Sequence, residues 1–163
     1  MNINESIIYT KTMPKREAVY VEYPSKLSTE LCEYLSLKGI KKLYCHQAEM
    51  FEKAMERNNI VITTSTASGK TLSFLLPVIQ EILSNPLARA IFIYPTKALA
   101  SDQYRAMLPY LEYFGENRIS VGVYDGDTSV NERSRVRKSA NIILTNPEMI
   151  NAAFLPNHSK FGF

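Results

Sequence analysis

Eight residues, Thr64-Ser65-Thr66-Ala67-Ser68-Gly69-Lys70-Thr71, constrain this chain more than any others. They follow the β-branched run Ile60-Val61-Ile62-Thr63 and precede a stretch in which Leu72, Leu75, Leu76, Ile79 and Ile82 recur at helical spacing. A strand that turns through small residues straight into a helix can surround an anionic phosphate chain, because successive backbone N–H groups and the positive helix end face it. Gly69 allows close backbone approach, and Thr66, Ala67 and Ser68 complete the cradle. Lys70 offers an ammonium to the β- and γ-phosphates of ATP, and the Thr71 hydroxyl can ligate the Mg²⁺ that bridges them. Thr64 stands where the general GxxxxGK[ST] pattern has its first glycine. The competing reading is a plain small-residue turn with Lys70 as a solvated first-turn lysine.

The rest of the chain repeats the alternation. Ser28 caps a helix expected over 29–38 with Gly39 as its stop, and a second helix is expected over 47–57. Runs 60–63, 90–94, 119–124 and 141–145 read as strands separated by helix-length segments. Parallel neighbours need crossovers of this length, so the fold class is α/β with a mainly parallel sheet. At 163 residues one domain is expected. Residues 1–27 read as an irregular leader or edge strand without chemistry, and 28–163 as the domain.

A hydrophobic fraction of 45% and a charged fraction of 21% exclude wholesale disorder. The net charge of +3 is compatible with a polyanionic partner without pointing to one. Cys32 and Cys45 form no CxxC pair, and with only two histidines they supply no usual zinc set. Both thiols are expected to be reduced and the protein cytoplasmic. No stretch reaches the roughly 18 apolar residues of a membrane span, so no membrane partner is expected.

Four further segments accompany the loop. Gln47, in Leu43-Tyr44-Cys45-His46-Gln47, can use its amide as donor and acceptor toward an adenine edge, although a His-Gln pair at a helix start also serves as a cap. Pro95, Thr96 and Lys97 fall where a strand ends and a helix begins, the edge on which α/β sheets bind ligands. They suit sugar-phosphate contacts that position a nucleic acid, or an ordinary helix start. Tyr124-Asp125-Gly126-Asp127 and Leu144-Thr145-Asn146-Pro147-Glu148-Met149 end the last two strands. Arg133, Arg135, Arg137 and Lys138 can bind phosphates or form a solvated helix face. Tyr104, Tyr110 and Tyr113 are expected at a core edge.

The order Gln47, TSTASGKT, YPTKALASDQ, YDGD, LTNPEM resembles the amino-terminal motor domain of superfamily-2 DEAD/DEAH-box helicases over roughly residues 30 to 155. Its details are similar to those bacterial and fungal members that end in a cysteine-cluster zinc domain. The resemblance implies a P-loop NTPase, RecA-like, three-layer α/β/α fold. It implies adenine recognition by Gln47, and phosphate and Mg²⁺ binding by Lys70 and Thr71. It places Pro95, Thr96, Lys97, Gly126, Thr145 and Asn146 on a nucleic-acid path, with DNA or RNA undecided and a second RecA-like domain as partner. Lys97 replaces the arginine of the PTREL pattern, and no aromatic ahead of Gln47 is assigned to stack on adenine. No DEAD or DEAH segment follows Met149, so no catalytic base is assigned and 28–163 is taken as a partial domain. The strand carrying that motif lies inside the sheet of such folds, which implies uncovered strand edges here. An inactive nucleotide-dependent interaction module and a P-loop kinase are the alternatives.

Overall fold

A computed structural model of the chain describes residues 9, 11, 17–65 and 68–160. A short antiparallel ladder joins β1 (Tyr20–Val21) to β2 (Leu43–Tyr44), with Tyr20 opposite Tyr44. Helix α1 (Thr29–Leu37) lies between them; the Ser28 hydroxyl accepts the Leu31 N–H, and Gly39, at φ +78, follows the end of the helix. Helix α2 (Cys45–Met55) begins two residues before the expected start. The cause is local: the Gln47 carboxamide oxygen accepts the Tyr44 N–H at 2.9 Å and closes the first turn.

Helix α3 (Lys70–Ser84) starts directly at the phosphate-loop lysine and buries Leu75, Leu76, Ile79 and Ile82. Beyond it, β3 (Ala90–Ile93), α4 (Lys97–Phe114), β4 (Val121–Val123), α5 (Val130–Ser139) and β5 (Ile142–Thr145) alternate. The three strands form a parallel sheet in the order β3-β5-β4. With a neighbour on each side, β5 is buried along its whole length. Successive residues of β5 face opposite layers. Ile142 and Leu144 join a core with Leu31, Phe51, Leu76 and Met107, whereas Ile143 joins Val136, Met149 and Phe154. The result is the expected three-layer α/β/α arrangement. A short helical tail, Pro147–Met149, Ile150–Phe154 and Leu155–Lys160, completes the second layer. No helix among the described residues is long and apolar enough to cross a membrane.

One expectation needs correction. The run Ile60-Val61-Ile62-Thr63 forms no ladder, and Val61 is 88% exposed. The reason is the lack of a partner. Ala90 donates its N–H to the Asn141 carbonyl just ahead of β5 and Tyr94 to that of Thr145, so alternation turns the backbone of Ile91 and Ile93 toward the other edge, where no strand is paired among the described residues. A trough of 610 Å³ lies there, lined by Ile60, Phe74, Val78, Ile91, Ile93 and Tyr94 among others. The Tyr94 hydroxyl is buried without a hydrogen-bond partner, and burial raises its pKa to about 12.

Candidate nucleotide and nucleic-acid sites

The phosphate loop is held at its exit by the first turn of α2. Gly69 precedes α3 with φ +76, a left-handed backbone, and a Cβ there would lie 2.5 Å from Gln47 Nε2. Glycine is therefore required both by conformation and by space. Gln47 Nε2 donates to the Gly69 carbonyl at 3.0 Å, and His46 Nε2 lies 3.0 Å from the Ser68 carbonyl. The Tyr44 ring stacks on His46 at 5.6 Å and on Tyr20 at 4.9 Å between centroids. Beside this stack a cavity of 1070 Å³ is lined by Tyr20, Lys41, Tyr44, Gln47, Gly69 and Thr71, among others. Gln47 is buried, with one hydrogen-bonding position on each end of its amide already used. A carboxamide retains a second N–H and a second lone pair beyond those bonds.

Lys70 folds back on the loop, donating from Nζ to the Ser65 carbonyl at 2.6 Å and the Thr64 carbonyl at 3.0 Å. Its ammonium is thus held by backbone oxygens of the loop. The Thr71 hydroxyl donates to Gln103 Oε1 of α4 at 3.4 Å. Thr66 and Ala67 lie outside the described residues. No group of three or more His, Cys, Asp or Glu side chains that could hold a metal occurs among the described residues.

The other segments meet at the carboxyl edge of the sheet. Pro95, Thr96 and Lys97 are exposed, and the Thr96 hydroxyl caps α4 by accepting the Leu99 N–H at 3.2 Å. Lys97 Nζ donates to Asp127 at 2.8 Å, and that hydrogen bond holds its pKa above the usual lysine value. The turn carrying Gly126 and Asp127 is built by one carboxylate: buried Asp125 accepts from the N–H of Asp127 at 2.9 Å, the N–H of Thr128 at 3.0 Å and the Thr128 hydroxyl at 3.0 Å. Arg133 donates to the Gly126 carbonyl at 2.8 Å and lies over the Tyr124 ring. Within the basic cluster it braces the loop, while Arg135 pairs with Glu132. Thr145 and Asn146 turn inward: the Thr145 hydroxyl donates to the Tyr124 carbonyl at 2.7 Å, and Asn146 Oδ1 accepts the Met149 N–H at 2.9 Å. Both are buried, so they shape this edge from beneath.

Sequence reasoning missed Tyr20, placed in a segment without chemistry, and the bond from His46 to Ser68. Tyr20 reaches the cavity through a ladder to a residue 24 positions away, which no local pattern reveals. The adjacency of His46 to Gln47 was the one available signal.

Residues 44–162 match the family described as DEAD/DEAH box helicase. The chain is 39% identical over 158 residues to the uncharacterized ATP-dependent helicase YprA of Bacillus subtilis, covering 97% of this chain and 21% of that protein. It is 39% identical over 151 residues to the ATP-dependent helicase HRQ1 of Saccharomyces cerevisiae, covering 92% of this chain and 14% of that one. The structure of the DUF1998 helicase MrfA bound to DNA superposes with a TM-score of 0.84 at 41% identity, over 90% of this chain and 21% of that one. The DEAD-box helicase Mss116, bound to ssRNA and UDP-BeF, shares the fold at a TM-score of 0.70 and 18% identity, over 83% of this chain and 29% of that one. With the glycine-lysine-threonine turn at the foot of α3, the glutamine at the head of α2 and this match over most of its length, the chain belongs to the DEAD/DEAH box helicase family.

Proposed function

We propose that this chain is the ATP-binding portion of an ATP-dependent helicase or translocase and contributes part of its nucleic-acid track. The observation that carries the reading is the loop between Thr64 and Thr71, fixed at its exit by α2 and delivering Lys70 and Thr71 at the N-terminus of α3. YprA and HRQ1 are named as ATP-dependent helicases, and MrfA has been crystallised with DNA and AMPPNP. Lys70 would exchange its carbonyl partners for β- and γ-phosphate oxygens, which bind an ammonium more strongly. Thr71 would ligate the Mg²⁺ that accompanies ATP, and that ion would neutralise phosphate charge. Gln47 keeps the loop in shape and retains the capacity to read the adenine edge. Thr66, Ala67 and Ser68 are assigned to the phosphate cradle.

On the carboxyl edge, Pro95, Thr96, Lys97 and Gly126 are proposed to meet the sugar-phosphate backbone, with Thr145 and Asn146 holding their loops in place. Such contacts position a strand without reading its bases, so they serve DNA and RNA alike. No residue of the chain is assigned as the base that activates water. Hydrolysis and strand movement are assigned to the parent protein, together with a second RecA-like domain.

Titration with a fluorescent ATP analogue and Mg²⁺, with GTP as competitor, tests the adenine assignment. The unmodified protein should prefer ATP to GTP by about tenfold or more, a margin of one or two hydrogen bonds. Gln47→Ala, checked for folding by circular dichroism, should narrow that preference. Equal competition by GTP in the unmodified protein would remove adenine recognition from Gln47.

A further inference from the structure

Two neighbouring residues of α2 grip two neighbouring carbonyls of the phosphate loop, His46 that of Ser68 and Gln47 that of Gly69, each at 3.0 Å. A carbonyl cannot donate, so the bond to Ser68 requires the proton on His46 Nε2. In a trans peptide the N–H points opposite to its C=O. Turning the carbonyls of Ser68 and Gly69 toward α2 therefore turns the N–H groups of Gly69 and Lys70 away from it. Those are the groups through which the foot of α3 meets an anion. The imidazole is fixed in its plane by the Tyr44 ring, which lies at only 10° to it, and Tyr44 is backed in turn by Tyr20.

We propose that His46 is a positioning residue of the nucleotide site: its Nε2–H holds the Ser68 carbonyl so that the backbone amides beyond it are presented to the diphosphate of the nucleotide. The inference rests on the nucleotide reading above and goes beyond it by separating two duties within α2. Gln47 serves both the helix cap and the loop, whereas His46 serves the phosphate side alone.

Displacement of a fluorescent ADP analogue by ADP and by adenosine separates these duties, with His46→Ala and His46→Gln compared against the unmodified protein. His46→Ala should weaken ADP by about tenfold, the worth of roughly one hydrogen bond, and leave adenosine within about twofold. His46→Gln carries an amide nitrogen to the place of Nε2 and should recover most of the loss. Equal weakening of ADP and adenosine, unchanged ADP affinity, or no recovery in His46→Gln would each overturn the proposal. An unmodified protein that binds no ADP would instead overturn the nucleotide reading beneath it.

Discussion

Ile60-Val61-Ile62-Thr63 and Ile142-Ile143-Leu144-Thr145 are both three aliphatic residues closed by a threonine, yet they end in opposite environments. The second is the central strand β5, paired on both sides, with no residue more than 1% exposed. The first pairs with nothing, and Val61 is 88% exposed. A β-branched run supplies side chains that suit a pleated surface, but its backbone becomes a strand only where neighbours accept its N–H and C=O groups. The phosphate loop therefore gains no support from a ladder at its entry. Its exit at Ser68 and Gly69 is held by His46 and Gln47, and Lys70 ties back to the carbonyls of Thr64 and Ser65.

The largest expected effect sharpens this contrast. Ile143→Ala removes a side chain with no exposed surface and should cost ~2–5 kcal/mol in a denaturant titration. Val61→Ala should change stability by less than ~0.5 kcal/mol. Similar losses at the two positions would break the comparison by showing that 60–63 is packed as a strand.

A smaller effect is expected at the carboxyl edge, where another loop is closed from within. Asp125 organises the turn, leaving Asp127 free to pair with Lys97 at the surface of the protein. Asp127→Asn should leave stability unchanged within ~0.5 kcal/mol, because an exposed ion pair contributes little. It should release Lys97 for phosphate and tighten binding of a single-stranded oligonucleotide by about two- to fivefold at low salt, with the gain shrinking as salt rises. Asp102→Asn, which removes a carboxylate paired elsewhere with Arg105, is the control for net charge. Weaker binding by Asp127→Asn would assign Asp127 to the track itself.

The sequence showed what depends on local order. The Ser28 cap, the Gly39 stop, the three parallel strands and the strand-edge position of Lys97 all follow from patterns a few residues long. The phosphate loop was legible because its chemistry is contiguous. Distant pairings were not legible. Tyr20 meets Tyr44 across the β1–β2 ladder, and Lys97 meets Asp127 from a loop 30 residues away. Thr145 and Asn146 look like exposed loop polars in sequence, but their side chains turn beneath the loops because buried backbone groups there need partners. The missing ladder at 60–63 has the same origin, since a strand's existence depends on what stands beside it.

Equilibrium binding of a fluorescent ATP analogue with Mg²⁺, compared between the unmodified protein and Lys70→Ala, tests the nucleotide site most directly. Lys70 is only partly buried and its present partners are oxygens of the loop itself, so the variant should fold normally, as circular dichroism would show. The account predicts saturable binding by the unmodified protein and a loss on the order of 100-fold in Lys70→Ala, the scale of one or two charge-assisted hydrogen bonds. Equal affinity in the two folded proteins would contradict the account and leave the loop as a structural turn between 60–63 and α3.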